Sequence, residues 1–449
     1  MCGILGIISG DQNNISLNLY EGLTYLQHRG QDSCGISNEK ICIKKEGLVK
    51  NSFVESDLQK LNSSVGIGHV RYSTTGTFAN DNIQPLEKKI NGKNFFLCHN
   101  GNITNIDFIQ GIINIYDTIS DTQYLFNLIE YKIKNNINII EICKFIINKI
   151  KGSYSILLLI EGYGIVSFRD KNGIRPLIYG INKNDYIISS ESSVINVLDY
   201  RVIRDINPGE IIEFKNNDMP RFYNTNVGNL NPCLFEYIYF SRSDSIIDNV
   251  SVYNARYKLG GLLANKIKKN NINDIDVIVP VPDTGTIFGL GLSHELNTQM
   301  QMGFVKNNYI DRTFIMKDNE IINKNIKRKI NVVNEVFFNK NVLIVDDSIV
   351  RGNTSKFIIS LAKSAGAKKI YLASGSPRIE YPNNYGIYIP NRESLIANNR
   401  SDEDISNVVG SDLVIYNDLF ETINCLKEMN KKINGFEISM FNNIHLSNL

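Results

Sequence analysis

Residues 342–355 read VLIVDDSIVRGNTS, and the change of character along this stretch decides the architecture around it. Four continuous apolar residues, three of them β-branched, predict a strand buried on both faces. Two adjacent acids, Asp346 and Asp347, stand at its carboxyl end. A glycine-containing loop with hydroxyls then opens into a helix predicted over 354–365. Such a loop can point backbone N–H groups at a phosphate, and the helix N-terminus adds a favourable field. The acids are unsuited to that phosphate; they fit sugar hydroxyls and developing positive charge on a ribose. The spacing is not GxxxxGK[ST], and no GxGxxG follows a strand, which sets aside ATPase and dinucleotide readings.

Working outward, helices predicted over 254–268 and 286–296 alternate with apolar strands over 276–281, 341–345 and 369–374. This rhythm predicts a mostly parallel sheet covered by helices, with ligands at the carboxyl ends of its strands. Upstream the pattern differs. The opening MCGILGIISG reads as a strand, a helix follows over 16–26, and short strands are predicted over 39–48, 65–72, 95–99, 153–161, 164–169 and 186–191. The first part is therefore a strand-rich α+β layer structure and the second α/β. Residues 224–232, NTNVGNLNP, carry boundary signals, so the expected domains are 2–230 and 231–449.

A chain of 449 residues, 43% hydrophobic and 21% charged, can bury two large cores and is no disordered polyampholyte. Its formal charge of +2 gives no reason to expect nucleic acid or a membrane as partner. Seven cysteines without a C-x-x-C pair fit a reducing, cytoplasmic setting with no disulfide framework or structural zinc. No signal peptide is legible. The Ile-rich stretch 137–150 is too broken by Asn and Lys to cross a bilayer.

Met1 precedes a small residue, so its removal is expected to expose Cys2 with a free α-amine. A thiol and an amine on one residue form a compact nucleophile and base, since an α-amine ionises at about pH 8. For MCG alone, a buried small hydrophobe is the ordinary alternative. His69-Val-Arg71-Tyr-Ser-Thr-Thr-Gly76 puts a guanidinium fork at a strand end beside a hydroxyl-rich turn. It suits a ligand carboxylate, or a structural ion pair. In Cys98-His-Asn100-Gly101-Asn102, read as a strand and then a turn, an Asn amide and a Gly N–H could converge on an oxyanion; an N-G pair is also simply a turn.

Cys2-Gly-Ile, Leu26-Gln-His-Arg-Gly-Gln-Asp32, the 69–76 string, His99-Asn-Gly-Asn102 and Ser120-Asp121-Thr together resemble the class II glutamine amidotransferase domain. The resemblance implies a four-layer αββα N-terminal nucleophile fold that hydrolyses glutamine to glutamate and ammonia. It implies Cys2 as nucleophile, Arg71 on the glutamine α-carboxylate, Asp121 on its α-amino group, and Asn100 with Gly101 as oxyanion hole. Residues 342–355 resemble the phosphoribosylpyrophosphate motif of type I phosphoribosyltransferases. By that resemblance Asp346 and Asp347 hold the ribose hydroxyls, and Ser348, Ile349, Val350, Arg351, Gly352, Asn353 and Thr354 wrap the 5-phosphate. Asp283-Thr284-Gly285 is similar to the pyrophosphate loop, although a structural turn is the preferred reading of it alone. The basic stretches 303–314 and 327–331, read as weakly structured, resemble a lid carrying Lys306, Tyr309, Arg312, Thr313, Arg328 and Lys329.

The two halves in this order resemble the amidophosphoribosyltransferase family over nearly the whole chain, with further matches at 170–177, 236–242 and 385–386. That implies 5-phosphoribosylamine, pyrophosphate and glutamate as products, at the entry to purine (IMP) synthesis. It implies Mg2+ shared between substrate and Asp346 and Asp347, purine nucleotides as feedback inhibitors, and a homo-oligomer, dimer or tetramer. Asn308 and Asp311 depart from the family's lid, Tyr388 stands where an acid is usual, and the chain ends soon after Asn442. Some relatives hold an iron–sulfur cluster on four cysteines. Cys233 matches one of those positions, but 382–383 and the C-terminal segment have no cysteine and Cys425 cannot complete the set, so no cluster is expected. Two rival readings need other features: a glucosamine-phosphate or asparagine-forming amidotransferase needs a different second half, and a phosphoribosylpyrophosphate-sensing regulator needs no complete cysteine site.

Overall fold

The opening apolar run forms the strand Gly3–Ser9 in the middle of a seven-stranded antiparallel sheet. Both faces of this strand are buried, and its alternation sorts them. Ile4 and Ile8 meet a second sheet, whereas Leu5 and Ile7 meet the helix Ser16–Tyr25. The computed structural model describes residues 2–72, 82–116, 120–215, 218–307, 330–387, 389 and 391–446.

The first sheet runs in the order Arg201–Asp205, Ile178–Asn182, Asp185–Ser189, Gly3–Ser9, Val65–Arg71, Ser33–Asn38, Cys42–Glu46. The second runs Arg221–Asn224, Glu210–Lys215, Gly164–Arg169, Gly152–Ile160, Lys93–Ile103, Leu86–Ile90 and is also antiparallel. Ile67, Phe96, Leu157 and Ile165 fill the space between them. On the outer face of the second sheet, Leu97, Ile156 and Leu158 pack against the helices Asp121–Lys134 and Ile139–Lys149. The result is the expected αββα layering. The Asn and Lys residues that break the Ile-rich stretch serve the last helix: Asn138 caps it by accepting Glu141 N–H at 3.0 Å, and Ile142, Ile146 and Ile147 form its buried stripe. No helix among the described residues is long and apolar enough to cross a membrane.

Residues 225–232 do not hang free. Main-chain bonds from Asn229, Asn231 and Cys233 to Lys171, Asn172 and Ile174 dock them on the turn after Gly164–Arg169. Beyond them, the strands Val277–Pro280, Asn341–Asp346, Lys369–Ser374 and Leu413–Tyr416 form a parallel sheet in sequence order. Helices Val252–Lys269 and Thr286–Leu296 cover one face through Leu259, Leu263 and Phe288. Helices Asn353–Ser364 and Asp402–Val409 cover the other through Ile358, Ile359 and Ile405.

Two expectations are corrected. The stretch read as weakly structured has an ordered base, because Phe304–Lys306 pairs antiparallel with Ile330–Val332, the two strands lying either side of 308–329 in sequence. The turn expected at Asn100-Gly101 is absent. The eleven-residue strand Lys93–Ile103 runs straight through, because Gly152–Ile160 pairs with it continuously from Phe95 to Ile103.

Candidate active sites

Register assembles the first site. Gly3 pairs with Val70 and Ser33 with Arg71, which places Arg71 at its strand end opposite position 2. The facing sheet brings Asn100 to the same place, and Cys2 N–H donates to Asn100 Oδ1 at 3.3 Å. With Oδ1 so engaged, Asn100 Nδ2 is buried and has no partner among the described residues. A buried amide donor in this state carries a desolvation cost that an incoming oxygen would relieve. Gly101 has φ of +149°, and a Cβ there would lie 2.0 Å from Ser153 O; only glycine fits, which accounts for the strand passing through an Asn-Gly pair.

Asp121 begins its helix, capped by Ser120, and its Oδ2 accepts Ile103 N–H at 3.0 Å. His99 donates its N–H to Gln84 Oε1 at 2.7 Å, and its Nδ1 lies 2.9 Å from Thr122 Oγ1. The strand is therefore fastened on both sides of Asn100 and Gly101. Cys2 is half-buried, whereas burial pushes the thiols of Cys34 and Cys42 up to about 12 and that of Cys98 well above the ordinary range. The hydroxyl-rich turn over 73–76 lies outside the described residues.

Arg29, quoted above only as part of a motif, donates from Nε to Cys2 O at 3.1 Å. Its other nitrogens meet Glu191 at 2.6 Å and Glu236 at 2.8 and 3.0 Å, all fully buried. Burial pushes the Glu191 carboxyl up, but His28 and Arg29 outweigh it and hold it far below the usual range. Sequence reasoning assigned none of these three a role. The available signal was a lone acid inside an apolar run, Phe235-Glu236-Tyr237, which marks a buried paired charge.

The second site forms where parallel strands end. Val281 N–H donates to Val345 O at 2.8 Å, so the 281–285 and 346–354 loops lie side by side. The Pro282–Asp283 peptide is cis. Asp347 accepts from Ser348 and is hydrogen-bonded to Thr284, while Lys306 Nζ donates to Asp283 Oδ2 at 2.6 Å. These contacts gather Asp283, Thr284, Gly285, Lys306, Asp346, Asp347 and Ser348. Burial, and then the Asp347 charge, push the Asp346 carboxyl well above the usual range; burial raises Asp347 too.

Within the 348–354 loop the side chains divide. Ile349 is buried in the core, Val350 packs on the opposite face and its carbonyl accepts Ile396 N–H, while Arg351, Asn353 and Thr354 are exposed. Ile349 and Val350 thus anchor the loop. Gly352, with φ of +78°, turns the chain into the helix. Lid residues Tyr309, Arg312, Thr313, Arg328 and Lys329, and the departures at Asn308, Asp311 and Tyr388, lie outside the described residues.

Among the described residues no cluster of three or more His, Cys, Asp or Glu side chains could hold a metal. Asp346 and Asp347 fit a hard divalent cation only if a ligand supplies the remaining oxygens. Around Cys233, the neighbouring side chains satisfy one another: Asn383 Nδ2 donates to Glu437 Oε2 at 3.2 Å and Ser439 Oγ at 3.3 Å. This is no thiolate set.

The halves meet beside the first site. Asn102 Nδ2 donates to Asn384 O at 2.8 Å, Ser153 Oγ and Arg175 Nε donate to Tyr385 O at 2.8 and 3.1 Å, and Gly386 lies against the Gly101 carbonyl.

A glutamine amidotransferase domain family matches residues 69–197. The amidophosphoribosyltransferases of Pseudomonas aeruginosa and Escherichia coli are each 39% identical to the chain, over 98% and 100% of it and 92% and 93% of their own lengths. That of Saccharomyces cerevisiae is 38% identical over 98% of this chain and 91% of its own. A solved structure described as glutamine phosphoribosylpyrophosphate amidotransferase from B. subtilis complexed with ADP and GMP is similar with a TM-score of 0.88 at 30% identity, covering 99% of this chain and 97% of that one. Another, described as the allosteric regulatory enzyme of purine biosynthesis, gives 0.89 at 30% identity over 99% and 96%. Likeness that runs through both halves, and through the junction that holds them together, is a property of the whole enzyme and not of either domain alone: the chain belongs to the amidophosphoribosyltransferase family.

Proposed function

We propose that Cys2 hydrolyses glutamine and that the released ammonia displaces pyrophosphate from phosphoribosylpyrophosphate at Asp346 and Asp347, giving 5-phosphoribosylamine at the entry to purine synthesis. The observation that carries this is Asn100, which binds Cys2 N through Oδ1 and leaves a buried Nδ2 donor beside it. The activities divide at 230/231. Arg71 takes the glutamine α-carboxylate and Asp121 its α-amino group. The Cys2 thiol gives its proton to its own α-amine and attacks the carboxamide carbon. Negative charge on the carbonyl oxygen is met by Asn100 Nδ2 and Gly101 N–H, ammonia leaves, and water hydrolyses the thioester to glutamate.

At the second site, the ribose hydroxyls donate to Asp346 and Asp347, the 348–354 backbone and Thr354 hold the 5-phosphate, and the 283–285 loop with Lys306 holds the pyrophosphate. Ammonia forms the bond to ribose C1 as the C1–O bond to pyrophosphate breaks. When bound, Mg2+ held by substrate oxygens with Asp346 and Asp347 neutralises charge on the departing pyrophosphate. The enzyme works in the cytoplasm as a homo-oligomer, and purine nucleotides inhibit it. The test is a single assay with glutamine, phosphoribosylpyrophosphate and Mg2+. Glutamate and pyrophosphate should appear one for one, and pyrophosphate without glutamate would overturn the reading.

Arg71→Lys should lower kcat/KM for glutamine about 10–100-fold and leave ammonia-dependent synthesis unchanged, because a point ammonium cannot reproduce a bidentate fork. Equal glutamine kinetics in variant and parent would remove the clamp. Metal analysis of anaerobically prepared protein should find no stoichiometric iron or sulfide. Near-stoichiometric amounts of both would reverse the cysteine reading.

A further inference from the structure

The first site receives support from the second half. Glu236 begins a single π-helical turn, Glu236–Phe240, closed by Ser241 N–H donating to Glu236 O at 3.2 Å. Such turns commonly mark functional positions. The Glu236 carboxylate takes two bonds from Arg29, one from Arg175 Nη1 at 3.3 Å and one from Ser241 Oγ at 2.8 Å. All four side chains are buried. Arg29 and Arg175 share the same oxygen, Oε1, so one carboxylate separates two desolvated cations. Arg29 Nε in turn holds the Cys2 carbonyl, and Arg175 holds Tyr385 O, in the loop that rests on Gly101. On its other side the turn is fastened by Arg256, which donates to Tyr237 O at 3.1 Å and Ser241 O at 2.6 Å and whose charge interacts with Asp347.

We propose that Glu236, although carried by the second half, is a positioning residue of the first active site: it fixes Arg29 and thereby the main chain that carries the Cys2 thiol and amine. The inference rests on reading Cys2 as the nucleophile. Without this carboxylate, Arg29 and Arg175 repel across a dry gap and Arg29 leaves Cys2 O. Arg29 is bonded to the main chain of the nucleophile, whereas the ends of glutamine are assigned to Arg71 and Asp121, so the loss falls on kcat and not on KM.

Glu236→Gln keeps the shape and removes the charge, whereas Glu236→Asp keeps the charge one methylene shorter. The expected result for Glu236→Gln is a fall in glutamine kcat of about 10²-fold, the size of an ångström-scale misplacement, with glutamine KM within about threefold and ammonia-dependent synthesis unchanged. Glu236→Asp should recover most of the rate. An equal fall in glutamine and ammonia activities, or a glutamine kcat within about twofold of the parent in folded Glu236→Gln, would overturn the assignment. Should neither variant fold, Ser241→Ala removes one donor to Glu236 and leaves every charge in place. It should lower glutamine kcat by about 10-fold, the lower end of the worth of one hydrogen bond to a charged group, with ammonia synthesis intact, and no change would overturn it equally. Cys2→Ala measured alongside separates the two ideas, because residual glutamine hydrolysis there defeats the Cys2 reading whatever Glu236 does.

Discussion

Cys2→Ala is expected to abolish glutamine-dependent synthesis, by about 10³-fold or more, while synthesis from high free ammonia stays at the parent rate. Loss of a covalent nucleophile is among the largest single effects in catalysis, because the remaining oxyanion donors have no intermediate to stabilise. Here the substitution is small in structural terms. Cys2 is half-buried at a strand end, and the bonds from Arg29 and to Asn100 use its main chain, which alanine keeps. The fold should therefore survive, and the parent chain should begin at Cys2 when sequenced. The decisive comparison is glutamate release against ammonia-dependent pyrophosphate release. A parallel fall of both, with the fold intact, would leave no ground for two separate sites.

Asp346→Asn and Asp347→Asn should do the reverse. Synthesis from glutamine and from ammonia should both fall by about 10²-fold or more, because the amide is neutral where the ribose hydroxyls, the cation and developing positive charge need an anion. The basal glutaminase reaction at Cys2 should be spared. Unchanged ammonia-dependent rates would remove the acids from the second site. A stability readout accompanies this. The Asp346 carboxyl is raised in the folded state by burial and by Asp347, so ionisation of the pair opposes folding at neutral pH. The sign follows. A raised acid contributes stability below its unfolded pKa, and this is lost as pH rises through the folded value. Asp346→Asn should therefore melt higher than the parent near neutral pH, and the gap should close as the pH falls toward about 4, the ordinary range of the acid. A variant that melts lower across that whole range would show the pair to be stabilising.

Activity and stability are thus expected to pull in opposite directions at Asp346. The first site shows the same conflict at Asn100, whose buried Nδ2 has no partner among the described residues. Sites that bind charge and transient oxyanions keep polar groups that a purely structural core would remove.

Local chemistry accounts for what could be read from the chain alone. A strand such as 342–345 is written in four consecutive apolar residues, and the helix Thr286–Leu296 is bounded by an asparagine that adopts a left-handed conformation. Both halves were legible because their strands and helices are continuous segments with one pattern each, and Cys2, the acid pair and the 348–354 loop could be proposed as sites because each is a continuous segment. Strands such as Ser33–Asn38 and Arg201–Asp205 were not legible, because their half-polar sequences are held by pairing with Val65–Arg71 and Ile178–Asn182, strands that lie elsewhere in the sequence. Asn100-Gly101 misled for the same reason: its local preference for a turn lost to a pairing with Gly152–Ile160 fifty residues on.

The sequence by itself determined which groups are present to do chemistry, the order of the two halves and the segments that fold into each. Tertiary structure alone decided what those groups touch. Nothing between residues 2 and 236 in sequence indicates that Glu236 holds the arginine that holds Cys2, or that Tyr385 and Gly386 rest beside Gly101. A buried charge takes its partner from whatever packing places within 3 Å of it, and that choice belongs to the assembled layers and not to any stretch of chain.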